Sequence, residues 1–263
     1  MIERLVIGLA ASAVVALLGW RARALTGKGA LAAVLVGTAI AVGASWPGIA
    51  VLGTFFVSST LLSRTRQGNR IAEKGSRRDA VQVLANGGVA AAAALGAGLF
   101  DGGVALAMVA GSLAAATADT WATEVGSSSD TAPRMLLSRR LVVAGESGGV
   151  TRHGTLAAFA GATFIASVAG VSGAIWIGAN AGIAVAVVVL VAGVAGSTAD
   201  SLAGELVQER RFCPVCGAVT EARMHHCGNP TNFRSGVAGV TNDVVNLICT
   251  LTGALVGAAV LLF

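Results

Sequence analysis

Apolar residues run in long blocks along this chain, and polar residues gather in the gaps between them. A bilayer core takes about 20 apolar residues per helix. Blocks of that kind cover 5–20, 29–45, 46–63, 80–100, 103–123, 155–178, 181–203 and 243–263. The pattern predicts an all-α, polytopic transmembrane helix bundle of about eight spans. Only Ser45-Trp46-Pro47-Gly48 separates the second block from the third, so a kinked re-entrant pair is the alternative to two spans there. The first block is short enough to read as a signal peptide. No small-residue cleavage site precedes Arg21-Ala22-Arg23, and an uncleaved first helix is expected.

Charge placement supports the count. Seventeen of the 18 Lys and Arg fall in segments 21–28, 64–78, 124–154 and 204–242, and the turns near 45–48, 100–102 and 179–180 hold none. Alternate loops are therefore basic, which places them on the cytoplasmic side. The expectation is an integral protein of the cytoplasmic membrane with basic loops cytosolic and both termini outside. Residues 1–263 read as one integral membrane domain, with a cytosolic Cys/His loop at 207–235 inside it. Composition agrees: 55% of residues are hydrophobic and 12% charged, against about 25% charged in soluble domains, and mean hydropathy is +0.78. The 36 Gly suit helices that approach closely in lipid.

Two blocks end in the same frame. Thr117-Ala118-Asp119-Thr120-Trp121-Ala122-Thr123-Glu124 and Thr198-Ala199-Asp200-Ser201-Leu202-Ala203-Gly204-Glu205 both read Thr-Ala-Asp-[Thr/Ser]-x-Ala-x-Glu. An acid at mid-bilayer costs roughly 2.5–3.5 kcal/mol on insertion scales, and less toward the interface. Acids near a helix C-terminus also oppose the helix dipole. Wet helix ends, or partners for loop arginines, are the bland reading. A bound divalent cation reverses the local electrostatics, and Mg²⁺ typically takes one or two carboxylates plus substrate phosphates. Positions i and i+5 lie about 140° apart on a helix, so Asp119 and Glu124 need not share an ion. Asp119 and Asp200 are expected to face each other, with Glu124 and Glu205 toward the loops. Asp243 opens the last block at the same depth, and Gln82 and Asn86 sit near that side in the fourth. Thr117, Thr120, Thr198 and Ser201 either offer hydroxyls or bond back to the i−4 carbonyl.

The stretch 145–155, Gly-Glu-Ser-Gly-Gly-Val-Thr-Arg-His-Gly-Thr, suits an anion, because Gly lets backbone N–H groups approach and a helix start adds a favourable dipole. Gly148, Gly149 and Thr151 are the candidates there. Thr155 is alternatively a helix N-cap, and His153 either a proton carrier or a passive hydrogen-bonding group. Lys74, Arg77 and Arg78 lie in the most basic segment, which either orients the protein against anionic headgroups or holds phosphates together with Arg152.

Cys213-Pro214-Val215-Cys216-Gly217 is followed by His225-His226-Cys227-Gly228. This reads as a structural Cys₃His zinc site built from Cys213, Cys216, Cys227 and His226, with His225 the alternative fourth ligand. A redox pair and a loop without metal are the competing readings. Cys249 reads as a small core residue of the last block.

Several motifs resemble the transmembrane protein 19-like family of integral membrane proteins. They are Ala118-Asp-Thr-Trp-Ala-Thr-Glu-Val-Gly126, Ser147-Gly-Gly-Val-Thr151 with Gly154-Thr155, Gly196-Ser-Thr-Ala-Asp-Ser201, Asn242-Asp-Val-Val-Asn246 and Gln82-Val-Leu-Ala-Asn-Gly-Gly88. One plant branch of that family is a phytyl-phosphate kinase. The pattern is also distantly similar to polyprenol and dolichol kinases, which use CTP. Those carry Lys-Thr where Val150-Thr151 stands here, so Arg152 or Lys74 would replace that Lys. The resemblance implies a Mg²⁺-dependent phosphotransferase that uses CTP or ATP to convert an isoprenoid monophosphate to the diphosphate. Asp119 and Asp200 would hold the metal, joined by Glu124, Glu205 or Asp243, and Asn242 and Asn246 would contact substrate. The expected partners are membrane lipid or prenyl phosphate and nucleotide, with no nucleic acid. A transporter of a small solute or ion, using the paired acids, is the alternative.

Overall fold

A computed structural model of the chain describes residues 2–65 and 77–262. Its helices are α1 (Ile2–Arg21), α2 (Gly27–Thr65), α3 (Ala80–Leu95), α4 (Gly102–Gly126), α5 (Arg152–Trp176), α6 (Ala179–Leu206) and α7 (Asn242–Leu262). Among the described residues, six of these are long and apolar enough to cross a membrane, and the chain is a polytopic helical membrane protein.

α2 accounts for two of the predicted spans. Ser45 breaks it with φ 54° and ψ −151°, and Pro47 follows. The two arms then fold back on each other, because a Cβ placed on Gly48 would lie 2.8 Å from Cγ2 of Ile40. In a straight helix those residues would be about 12 Å apart. Each arm has roughly 18–20 residues, or about 27–30 Å, enough for the hydrocarbon core. α3 is shorter than the block 80–100 from which it is expected. It stops at Leu95, and a 3₁₀ turn at Ala97–Leu99 completes the run. Its start is firmly set, since Asp79 and Gln82 form a reciprocal capping box.

α4 is the axis of the bundle. It packs against α2, α3, α5, α6 and α7, and 78% of its most apolar stretch is buried. The other helices turn leucines, valines and aromatics outward, including Leu5, Leu35, Val187 and Leu255. For a bundle whose solvent is lipid, that surface is the expected one.

The basic loops meet at one end. The Thr26 N–H donates to the Arg78 carbonyl at 3.0 Å, and the Arg78 N–H donates to the Ala24 carbonyl at 2.9 Å. The Arg64 guanidinium donates to the Ala22 carbonyl. Between α4 and α5, β1 (Arg134–Met135) pairs antiparallel with β2 (Gly149–Val150). Between α6 and α7, β3 (Arg210–Cys213), β4 (Ala218–Thr220) and β5 (Asn232–Ser235) form an antiparallel sheet in the order β4-β3-β5.

That last arm is anchored at its root by Glu209. Its carboxylate accepts the Gly239 N–H at 2.6 Å and pairs with Arg211 at 2.5 Å. These two partners hold its carboxyl below the usual carboxylate range. A depressed folded-state value means the anchor is fully present at neutral pH. It is lost as pH falls below the ordinary Glu value of about 4.3 and through the lower folded value. Proteolytic cleavage of the arm is expected to accelerate below about pH 4, and Glu209→Gln is expected to show that acceleration already at neutral pH. Equal cleavage rates for the two proteins at pH 7 would contradict this.

Candidate functional site

A cleft of about 820 Å³ opens at the end of the bundle where the basic loops meet. Its floor is the acid repeat. Asp119 on α4 and Asp200 on α6 bring their carboxyls within hydrogen-bonding reach of each other. Asp200 is only 8% exposed, and its Oδ2 has no hydrogen-bond partner. Neither acid has an ion pair to a basic side chain among the described residues. Two carboxylates in contact repel unless a proton or cation sits between them. The donor set and the unpartnered oxygen fit a hard divalent cation, which takes carboxylate oxygens.

The repeat folds as helix because its hydroxyls serve the backbone. Those of Thr117, Thr120, Thr198 and Ser201 all donate to the carbonyl four residues back, at 2.7, 2.8, 2.8 and 3.2 Å. That is the second of the two roles the sequence allows them.

The other expected residues divide into two groups. Arg78, Gln82, Glu124, Gly148, Gly149 and Thr151 line the cleft. So do Asn242, Asp243 and Asn246 at the start of α7. The Arg78 guanidinium stacks over Phe55, 5.7 Å from the ring centroid. Burial lowers its proton affinity from the usual Arg value, and the nearby Glu124 carboxylate opposes that.

Arg152 and His153 do not line the cleft. Both are exposed on the first turn of α5, where His153 Nδ1 lies 3.1 Å from the Ser129 hydroxyl. Arg77 donates to the Leu25 carbonyl at 3.2 Å, and the Asn86 amide donates to the Gln82 carbonyl at 2.9 Å. Glu205 also lies off the cleft. Both of its oxygens accept backbone N–H groups, from Leu137 at 2.7 Å and Ser138 at 2.9 Å, so it ties the loop after α4 to the end of α6. Lys74 lies outside the described residues.

The Gly-rich loop owes its shape to packing. Gly148 has φ +81°, and a Cβ there would come within 2.5 Å of the Glu205 nitrogen. No other residue lets the loop rest on the last turn of α6. The N-cap of α5 is Thr151 rather than Thr155: its hydroxyl accepts the Gly154 N–H at 3.0 Å, and the Thr155 hydroxyl donates back to the Thr151 carbonyl.

Several residues of the cleft are not evident from the sequence. Arg23 and Arg64 lie on its wall, and Glu146 and Glu221 also line it. Glu146 meets Arg140 at 3.4 Å and Arg210 at 3.6 Å. Glu221 lies close enough to Asp200 for their charges to interact. Its only signal is that it is an acid three residues after β3 turns into β4, in a loop otherwise read for its cysteines.

The Cys/His cluster assembles with one correction. Cys213, Cys216, Cys227 and His225 place their ligand atoms within 4.8 Å of one another. His225, not His226, completes the set. His225 is buried, and its Nδ1 lies 3.1 Å from Cys227 Sγ, whereas His226 is exposed. The Gly228 N–H donates back to the His225 carbonyl at 2.8 Å and closes a turn over residues 225–228. Cys213 and Cys227 sulfurs lie 3.7 Å apart. A tetrahedral zinc with Zn–S bonds of about 2.3 Å spaces its sulfurs by about 3.8 Å. Hydrogen bonds from Asn229 and His225 push the Cys227 thiol down to about 5, while contact with Cys227 pushes the Cys216 thiol up to about 11, so without metal the thiolate is held at Cys227.

Comparison with known proteins gives one family and relatives that match along nearly the whole chain. The chain is 28% identical to Protein PGR of Arabidopsis thaliana over 94% of this chain and 93% of that one. It is 29% identical to the uncharacterized membrane protein MJ0933 of Methanocaldococcus jannaschii over 98% of this chain and 94% of that one. No solved structure matches. The family model described as integral membrane protein DUF92 matches residues 10–254. These relationships agree with the transmembrane protein 19-like resemblance, and the chain belongs to the integral membrane protein DUF92 family.

Proposed function

We propose that the cleft transfers a phosphoryl group from a nucleoside triphosphate to an isoprenoid monophosphate, giving the diphosphate at the cytosolic membrane face. The observation that carries this reading is the contact between Asp119 and Asp200 on the floor of the cleft. Phosphoryl transfer asks a protein mainly for positioning and charge neutralisation. Asp119 and Asp200 would hold Mg²⁺, with Asp243 and Glu124 within the same cleft. The cation supplies neutralisation of the phosphate oxygens. Arg78, Arg64 and Arg23 supply positive charge on the wall. The acceptor is already a phosphate anion, so its terminal oxygen attacks the γ-phosphorus without a general base. The bond from that phosphorus to the β-phosphate oxygen breaks, and the nucleoside diphosphate leaves.

The cleft has an apolar side as well. Ala122, Ala158, Phe159 and Val194 line it, and Phe159 is 52% exposed on the outer face of α5. A prenyl tail would run along that side into lipid while its phosphate stays at the acids. Ala158→Trp is therefore expected to raise KM for the lipid acceptor about tenfold or more, with KM for nucleotide unchanged. Equal changes in both would count against the tail path.

The reading is tested by incubating the purified protein in lipid nanodiscs with Mg²⁺, labelled CTP or ATP, and a panel of prenyl alcohols and monophosphates. Label is expected in the lipid diphosphate and is expected to vanish in Asp119→Ala and Asp200→Ala. Absence of transfer with every nucleotide, together with solute uptake into vesicles, would overturn it in favour of a transporter.

A further inference from the structure

The arm between α6 and α7 folds without an apolar core. Of its described residues, 207–241, the buried ones are Gln208, Glu209, Cys213, Thr220, His225 and Thr231. No Ala, Val, Met or Phe is among them, and Val215, Met224, Phe233 and Val237 are more than half exposed. A segment that buries so little apolar surface needs another source of stability, and a structural metal is one of the few available.

Two short turns meet that need, and they are built alike. In the first, Cys213 ends β3, Cys216 follows in the turn to β4, and the Gly217 N–H donates back to the Cys213 carbonyl at 2.9 Å. In the second, His225 and Cys227 stand two residues apart, and Gly228 closes the turn onto the His225 carbonyl. The His225 N–H donates to the Asn229 carbonyl at 2.9 Å, and Met224 bridges to Pro230, so the second turn is braced at its base. Each turn leaves through a glycine in the left-handed region, with φ +66° at Gly217 and +82° at Gly228. Nothing lies within 4 Å of a Cβ placed on either, so these glycines serve the turn conformation rather than packing. Each turn delivers two ligand atoms to one point, where the three sulfurs and a His225 nitrogen lie within 4.8 Å of one another.

A disulfide does not account for the arrangement. It would engage two of the three thiols and give His225 no part, and the Cys213 and Cys227 sulfurs stand 3.7 Å apart, against about 2.05 Å in a bonded pair. Three thiolates and one imidazole around a point select Zn²⁺. We infer that Cys213, Cys216, Cys227 and His225 bind one structural Zn²⁺, which joins the two turns and takes the place of an apolar core in the arm. The protein fills all four positions, so the ion keeps no open position for a substrate. None of the four residues lines the cleft. The site is therefore separate from the Asp119–Asp200 pair, soft where that pair is hard, and it stands whether or not the cleft transfers phosphate.

The test uses the full chain in nanodiscs, purified without chelator or polyhistidine tag, with zinc read by elemental analysis. The wild type is expected to carry about one zinc per chain. Cys213→Ser is expected to carry none, and His225→Ala to yield its zinc to about tenfold or more less chelator than the wild type. His226→Ala and Asp200→Asn are expected to keep wild-type zinc. Exchange for Co²⁺ is expected to give the ligand-field bands of a tetrahedral site and thiolate-to-metal charge transfer. His225→Cys should keep the metal and strengthen the charge-transfer band, a gain that an unfolded arm could not produce. Stripping the zinc is expected to raise cleavage within 207–241 about tenfold or more while the bundle stays intact, and Zn²⁺ but not Mg²⁺ should restore protection. A wild-type protein with neither zinc nor the cobalt spectrum would overturn the inference, as would zinc retained in Cys213→Ser. Loss of zinc in His226→Ala beside wild-type retention in His225→Ala would overturn the choice of fourth ligand. Unchanged cleavage of the zinc-free arm would refute the ion as its staple.

Discussion

Asp200→Asn is expected to abolish phosphoryl transfer while leaving the protein at least as stable as the wild type. The side chain keeps its shape and loses its charge. In the metal-free protein that charge is a cost, because Asp200 is buried against the carboxyl of Asp119 and near that of Glu221. Removing it relieves repulsion, so the midpoint of thermal unfolding without divalent cation should stay level or rise. With Mg²⁺ the order should reverse, since a ligand that binds only the folded state stabilises it by mass action. The activity loss should be at least on the order of 10²–10³-fold, the scale for removing one preorganised charge-stabilising group. Thermal unfolding with and without Mg²⁺, beside a transfer assay, separates the two possibilities. A drop in stability that parallels the drop in activity would make Asp200 a structural residue.

Gly111→Leu is expected to have the largest effect on stability. Gly111 on α4 and Gly253 on α7 face each other at a point where backbone meets backbone. A Cβ on Gly111 would lie 2.5 Å from the Gly253 carbonyl oxygen. Overpacking a core commonly costs about 1–3 kcal/mol because side chains can shift. Here the obstacle is main chain, so the cost should reach or exceed the top of that range. The damage should also reach the cleft, because α7 brings Asn242, Asp243 and Asn246 to it. Gly53→Ala is the control, since nothing lies within 4 Å of a Cβ there, and Ala favours helix over Gly by about 1 kcal/mol. Thermal unfolding of both variants in the same nanodiscs checks the comparison, and similar midpoints would refute the close-packing argument.

Much of the fold is legible in the sequence because hydropathy is a local property. A run such as 181–203 must be helical in lipid, whatever surrounds it, to satisfy its own backbone. The alternation of basic segments adds topology, and the structure does gather those segments at one end. Within the candidate site, the acid repeat stands out because two carboxylates per apolar block are costly and conspicuous. The assignments that depend on azimuth or on tertiary packing are the ones that move. Arg152 and Thr151 are adjacent in sequence, yet Thr151 caps α5 and lines the cleft while Arg152 faces away. Glu124 and Glu205 occupy the same place in the repeated frame, yet Glu124 lines the cleft and Glu205 is taken by the backbone of a neighbouring loop.

The sequence by itself determined a helical membrane protein, the end at which its charges collect, and which residue types carry chemistry there. Each follows from composition and spacing within a single stretch of chain. Only the tertiary structure decided that Glu205 is taken by the backbone of a neighbouring loop, that His225 rather than His226 joins the cysteines, and that Glu221 lines the same cleft as the acid pair from another segment. Those outcomes depend on how closely separate helices and loops approach, which is set by glycine-to-backbone contacts and by cross-links between distant residues. No local pattern of polar and apolar positions encodes such distances.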